Sequence, residues 1–181
     1  MTSAVQIFKQ GGVLAYPTEA VFGLGCDPDN QTAVEKILTI KKRPVEKGLI
    51  LLAGEYSQLQ PYINESVLTA EQIDAMLLRW PNGVTQVVPA SEKTQPFLTG
   101  QFDTIAIRVT DQPDVVELCR QTQKPIVSTS ANFTGEEPGK TWQEVEQALG
   151  TAVDYIVKGE TLGFNKPSTI IDAITGETFR S

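Results

Sequence analysis

The chain has 181 residues, 40% of them apolar, with 15 Lys and Arg against 22 Asp and Glu, a formal net charge of -7 and no histidine. That length suits one domain with a substantial core, and the acidic balance disfavours a protein that lives on nonspecific contact with nucleic acid or anionic lipid, while leaving room for a local basic cleft. The missing histidine removes Ser-His-Asp triads, Cys-His dyads, His-based zinc sites and imidazole acid-base chemistry together, so any catalysis must rest on charge and positioning. The two cysteines, Cys26 and Cys119, are far apart. No charged-then-apolar leader pattern opens the chain and no apolar run approaches the roughly 20 residues that span a bilayer, so the expected setting is cytosolic, with both thiols reduced.

In chain order, Ser3 to Gln10 reads as a short helix stopped by Gly11-Gly12, and Val13 to Tyr16 as a strand ending at Pro17. A Thr, a Glu and two close glycines, Gly23 and Gly25, follow, the composition of a strand end opening into a tight polar turn that could hold a small ligand. Val21 to Leu24 can add a short extended piece. Asn30 is a plausible cap for a helix reaching Lys42, with Val34, Ile37, Leu38 and Ile40 at near-helical spacing. Lys41, Lys42, Arg43 and Lys47 then gather around its end. They can offset the negative end of the helix dipole. Pro44, however, stops the helix and biases Arg43 toward an extended conformation, which would aim Lys41 and Arg43 to one side, as suits a polyanion such as a triphosphate.

The continuous apolar run Leu49 to Ala53 predicts a strand covered on both faces and central in a sheet. Glu55 to Ile63 reads as a short helix. Thr69-Ala70-Glu71-Gln72 matches a capping box, with Ile73, Met76, Leu77 and Trp80 as the expected buried stripe. Val84 to Pro89 and Thr104 to Val109 read as strands separated by a loop containing Pro96, Thr99 and Gly100, and Pro113 to Thr122 as a helix begun by Asp111 or Pro113. Ile126 to Ser128 is a strand running into Thr129-Ser130-Ala131-Asn132. Thr141 to Glu144 caps another helix that ends at Gly150, and two short strands, Tyr155 to Val157 and Thr169 to Asp172, are joined by the glycine-bearing turn Gly159 to Lys166. The pattern predicts a single-domain α/β fold with an open, twisted, mixed sheet and helices on its faces, occupying residues 1–181.

Ser128, Ser130 and Asn132 stand just past a strand's carboxyl end, where open α/β sheets bind ligands, although Ser, Thr and Asn also make turns for purely local reasons. Strict alternation makes Arg108 the outward member of its strand; as a strand-end cation it could instead grip a carboxylate. Ser168 and Arg180 could add a hydroxyl and a cation to the same site. The glycines match neither the dinucleotide fingerprint nor a Walker loop. Asp27 and Asp103 lack ligand-like spacing and are read as solvated or capping residues, so no metal site is expected from the residues.

Tyr16-Pro17-Thr18-Glu19, Lys41-Lys42-Arg43-Pro44, Ser128-Thr129-Ser130-Ala131-Asn132 and Pro167-Ser168-Thr169 together resemble, in order and spacing, the YrdC/TsaC family of threonylcarbamoyl-AMP synthases, in its short single-domain form. The resemblance covers nearly the whole chain. It implies a fold with a concave basic cavity and a synthase that joins L-threonine, bicarbonate and ATP, with Mg²⁺ accompanying the nucleotide, into threonylcarbamoyl-adenylate and pyrophosphate. That product would pass to pathway proteins that complete the t6A modification of ANN-reading tRNAs. By motif match, Lys41 and Arg43 would neutralise the phosphates, Ser130 and Asn132 would line the nucleotide side, and Thr18 and Arg108 would hold threonine, with Arg108 on its carboxylate. Ser128, Ser168 and Arg180 would be wall residues and Lys47 a further phosphate contact. Longer relatives carry a histidine shortly after the Lys-x-Arg turn; here Ile50 to Leu52 occupy that region. The alternative of a nonenzymatic module of the same fold, contacting tRNA or double-stranded RNA, sits poorly with a net charge of -7.

Overall fold

The computed structural model describes residues 3–181; Met1 and Thr2, the first two residues of the expected domain, lie outside the described residues. Ser3 caps α1 (Ala4–Lys9) by accepting a hydrogen bond from Gln6 N. β1 (Leu14–Pro17) and β2 (Phe22–Gly25) form an antiparallel hairpin, and Asn30 Oδ1 accepts from Ala33 N at 3.0 Å to start α2 (Gln31–Lys41). There follow β3 (Ile50–Ala53), α3 (Tyr56–Leu59), α4 (Ala70–Leu78), β4 (Val84–Pro89), α5 (Pro96–Thr99), β5 (Thr104–Val109), α6 (Pro113–Thr122), β6 (Ile126–Ser130), α7 (Trp142–Leu149), β7 (Tyr155–Ile156), β8 (Thr169–Asp172) and β9 (Thr178–Arg180). The Thr69–Gln72 and Thr141–Glu144 capping boxes both form, each satisfying amides that the first helical turn leaves unpaired.

Among the described residues the strands join in the order β7-β1-β2-β6-β3-β5-β4-β8-β9. β1/β7, β3/β5 and β4/β8 pair parallel and the remaining neighbours antiparallel, so the fold is α/β with a mixed open sheet. The expectation of a central strand at Leu49 to Ala53 holds, since β3 is the middle member of that order.

Strand alternation sorts the side chains onto two faces. On one, Ala15, Leu51, Ala53, Ile105, Ile107, Val88 and Val127 pack beneath α2, α4, α5 and α7 through Val34, Ile37, Met76, Leu98, Val145 and Leu149. On the other, Leu14, Tyr16, Leu52 and Ile126 pack against Phe8 of α1 and Val115, Leu118 and Cys119 of α6. These two helices cover only part of their face. Ile50, Ala106 and Arg108, which share that face further along β3 and β5, line a cavity instead.

Leu77, expected in the buried stripe of α4, is exposed, because the helix meets the core through Met76 and the turn after it through Trp80. α6 does begin at Pro113, in its first turn, but its cap is Gln112, whose side chain accepts from Val115 N at 3.0 Å, and not Asp111. Pro96–Thr99, expected as loop, is a helical turn begun by its proline, and Thr178–Arg180 adds an edge strand, β9, beside β8. Asp27 is neither solvated nor merely capping: it takes an ion pair from Lys124 at 2.9 Å.

Gly23 and Gly25 lie within β2 rather than in a turn. The ring of Tyr16, on β1, passes across β2 and donates its hydroxyl to Val127 O of β6 at 2.8 Å. A Cβ on Gly25 would stand 2.0 Å from Val127 O and 2.7 Å from the Tyr16 ring, and one on Gly23 3.2 Å from it. The glycines therefore make a lane for the tyrosine, whose phenol burial holds in its neutral form by pushing its pKa upward. Gly25→Ala must spread β2 from β6, costing on the order of 1–3 kcal/mol. Melting should fall by roughly 2–4 °C for each kcal/mol lost; an unchanged thermal transition would show that the lane is not tight.

Candidate active site

The uncovered part of the second sheet face forms a cavity of about 590 Å³, within the range of roughly 300–1,000 Å³ usual for small-molecule sites. Its walls come from the β1–β2 turn at Thr18 to Val21, the α2–β3 connection at Arg43, Lys47 and Gly48, β6 at Ser128 to Ser130, β5 at Thr104, Ala106 and Arg108, and β8–β9 with the preceding Pro167 and Ser168. Among the described residues its charged lining is Arg43, Lys47, Arg108 and Arg180 against Glu19. Four cations facing one carboxylate give an anion-attracting hollow in an acidic chain.

The first wall is set by how α2 ends. Lys42 adopts the left-handed conformation, φ 45°, and the Arg43 amide reaches back to Leu38 O at 2.9 Å, closing the helix as a glycine cap would. A lysine in that conformation is strained by about 1–2 kcal/mol. The reversal sends the two flanking cations to different neighbours. Arg43 lines the cavity and donates through Nη2 to Gly48 O at 2.9 Å, which ties it to the turn bearing Lys47. Gly48 is itself required: its φ is +64°, and a Cβ there would meet Thr99 O at 2.9 Å.

Lys41, buried at the last turn of α2, extends to the end of β6. Its ammonium donates toward Ser130 O at 2.8 Å, Ser130 Oγ at 3.2 Å, Asn132 O at 2.8 Å and Asn132 Oδ1 at 2.5 Å. Ser130 Oγ in turn donates to Asn132 Oδ1 at 2.6 Å, and Thr134 Oγ1 donates to Lys41 O. All of the ammonium's acceptors are neutral. With no carboxylate to offset its desolvation, and with Arg43 nearby, Lys41 falls from 10.5 to about 8.

The opposite wall is a chain of hydrogen bonds running from β9 through Ser168, just ahead of β8, to β4 and β5. Arg180 on β9 donates to Ser168 O at 2.8 Å and to Ser168 Oγ at 3.2 Å; Ser168 Oγ and Thr85 Oγ1 of β4 share a bond of 2.8 Å; and Arg108 Nη1 of β5 donates to Thr85 Oγ1 at 3.3 Å. Arg108 Nη2 then meets Glu19 Oε2 at 3.3 Å. Desolvation, with the charge of Arg108, lowers the pKa of Arg180. The β1–β2 turn is held from both sides: Thr18 Oγ1 donates to Val21 O at 2.7 Å, and Leu162 N and Phe164 N donate to Thr18 O and Glu19 O at 3.1 and 2.9 Å.

Of the residues singled out in the sequence, Thr18, Arg43, Lys47, Arg108, Ser128, Ser130, Ser168 and Arg180 line this one cavity. Lys41 and Asn132 stand behind its wall, bonded to each other and to Ser130. Arg108 does face outward from the sheet's other side, as alternation implies, but outward here is the cavity. Glu19, which motif spacing left without a role, is buried on the cavity floor; a carboxylate in an apolar, proline-bounded turn was the available signal. Burial raises both thiols, Cys119 to about 12, which removes them as nucleophiles at neutral pH. Among the described residues no group of three His, Cys, Asp or Glu side chains converges to hold a metal ion, and no helix is long and apolar enough to cross a membrane.

The Sua5/YciO/YrdC family, described as telomere recombination, matches residues 6–181. A threonylcarbamoyl-AMP synthase of Vibrio campbellii is 53% identical over 97% of this chain and 95% of its own length, and one of Escherichia coli O6:H1 is 52% identical over 99% and 94%. Among solved structures, Sua5 of P. abyssi complexed with L-threonine superposes with a TM-score of 0.85 at 29% identity, over 93% of this chain but 49% of that protein, so the present chain spans about half its length. E. coli YciO superposes with a TM-score of 0.82 at 27% identity, over 98% of this chain and 88% of its own. With a family match running from the first helix to the last strand and relatives more than half identical over nearly its whole length, this chain belongs to the Sua5/YciO/YrdC family.

Proposed function

We propose that the chain is a threonylcarbamoyl-AMP synthase, making the adenylate and pyrophosphate from L-threonine, bicarbonate and ATP. The observation that carries this reading is one cavity in which cations on two walls face each other across a serine-bearing strand end, in a protein without histidine. The chemistry needs no protein nucleophile. The amino group of threonine adds to bicarbonate-derived carbon, water leaves, and the carbamate oxygen then displaces pyrophosphate from the α-phosphorus. Two anions must meet in that second step, so neutralising charge and fixing geometry is the main work left to the protein.

Arg43 and Lys47 serve the phosphates from the α2–β3 wall. Lys41 adds its charge from directly behind Ser130 Oγ, and its grip on Ser130 and Asn132 keeps the loop that lines the nucleotide side in place. Thr18 and Arg108 hold threonine, Arg108 on its carboxylate, while Ser168 and Arg180 brace that guanidinium through Thr85 and Ser128 adds to the wall. Mg²⁺ enters as part of the nucleotide substrate, held by phosphate oxygens, since a small hard cation commonly keeps its waters and takes few protein ligands. The labile product passes to the proteins that complete t6A on tRNA. Direct contact with tRNA is a separate matter that a salt titration decides, because binding through phosphates weakens steeply as salt rises.

Incubation with ATP, bicarbonate and L-threonine, with serine as control, should yield pyrophosphate and the adenylate by mass spectrometry; absence of both would end this reading. Arg43→Ala should lower turnover by about 100-fold or more with little change in melting. Lys41→Ala should lower both, because it strands buried acceptors at roughly 1–3 kcal/mol apiece. Full turnover in either variant would remove the assigned role.

The lowered pKa of Lys41 gives effects of opposite sign. Its charge is present below about pH 8 and lost above, so kcat/KM for ATP should fall as pH rises through that value. In stability the unfolded chain binds the extra proton between about 8 and 10.5, so this group's unfavourable contribution, present below that window, is relieved across it. A flat rate profile through the same range would show that the ammonium's charge is not used.

A further inference from the structure

The buried ion pair on the cavity floor leaves both of its members incomplete. Glu19 and Arg108 are 4% and 6% exposed, and they touch through one contact, Arg108 Nη2 to Glu19 Oε2 at 3.3 Å. A guanidinium and a carboxylate that pair for stability usually dock fork to fork, with two parallel bonds near 2.8 Å. Here the pair is long and offset. Among the described residues Glu19 Oε1 and Arg108 Nε have no hydrogen-bond partner. A buried polar atom left unpaired is costly, more so when it is charged, and native proteins keep few of them. These two belong to side chains of opposite charge that line the same cavity.

We infer that Glu19 is a specificity residue for the amino end of the amino-acid substrate: its Oε1 accepts a hydrogen bond from the substrate's α-amino group while Arg108 takes the α-carboxylate. The inference rests on the synthase reading above. An acceptor and a donor of opposite charge, fixed side by side, complement a molecule whose ammonium and carboxylate sit on one carbon atom. A ligand with only one of these charges completes one partner and leaves the other unpaired.

The surroundings hold the acceptor in place. The backbone carbonyl of Glu19 accepts from Phe164 N at 2.9 Å, and Thr18 commits its hydroxyl proton to Val21 O at 2.7 Å. The amino group therefore finds in the Thr18–Glu19 turn a carboxylate oxygen that nothing else uses. Arg108, in contrast, already spans to Thr85 through Nη1, which leaves Nε and the rest of its fork for the substrate carboxylate.

Glu19→Gln is the informative substitution. Arg108 offers only donors, so the new amide turns its oxygen toward Arg108 and leaves its NH₂ where Oε1 was, facing the amino group donor to donor. Binding to the full chain is measured by calorimetry with L-threonine, with 2,3-dihydroxybutanoate, which lacks the amino group, and with threoninol, which lacks the carboxylate; melting and ATP binding are followed in parallel. The unsubstituted chain should bind dihydroxybutanoate at least about tenfold more weakly than threonine. Glu19→Gln should erase that preference while retaining the preference of threonine over threoninol. Equal binding of threonine and dihydroxybutanoate by the unsubstituted chain overturns the inference without any variant. If Glu19→Gln instead loses discrimination against threoninol, Glu19 merely props Arg108, and the inference also fails. Adenylate formation by the unsubstituted chain is scored separately: its absence removes the synthase reading, whereas its presence beside unaltered threonine binding in Glu19→Gln removes this inference alone.

Discussion

The site depends on one buried ammonium. Lys41 ties the end of α2 to the end of β6 by bonding to the carbonyl and side-chain oxygens of Ser130 and Asn132, segments about ninety residues apart in the chain. Burying a charge without a counter-charge is costly, and the depressed pKa is the trace of that cost. A hydrophobic side chain could fill the space more cheaply, but it could not hold four oxygens in place. The grip also decides which side of the strand end faces the cavity, since Ser130 lines it and Asn132 does not.

The second constraint is a shortage of cover. Among the described residues nine strands offer two faces; one is packed beneath α2, α4, α5 and α7, while α1 and α6 cover part of the other. Where they stop, the same alternating positions change character: on β5 they read Thr104, Ala106 and Arg108, and on β6 Ser128 and Ser130 follow Ile126. The hollow is thus a stretch of sheet where Thr104, Arg108, Ser128 and Ser130 stand among apolar positions such as Ile50 and Ala106. Its far side is kept in register by the bonds linking Arg108, Thr85, Ser168 and Arg180.

What was legible in the sequence was what is local. The capping boxes at Thr69 and Thr141, the cap at Asn30 and the strands Val84–Pro89 and Thr104–Val109 announce themselves through residues a few positions apart. The candidate site was legible as a set of residues by family likeness, but not as an arrangement. Nothing near Gly23 or Gly25 tells that a tyrosine ring from the neighbouring strand must pass over them. β9 is exposed along its length, so Thr178-Phe179-Arg180 lacks the apolar alternation that marks a half-buried strand. Glu19, in the β1–β2 turn, gained its place from Arg108 on β5, and no spacing rule connects the two.

A hollow charged by guanidinium, ammonium and carboxylate, in a chain with no imidazole anywhere, has no member whose ordinary titration falls in the mildly acid range where cells drift under metabolic stress. Its field is therefore not tuned by a histidine switch. The Lys41 ammonium behind its wall stays charged on the acid side and fades only as the medium turns alkaline, so mild acidification leaves the pull on anionic precursors intact.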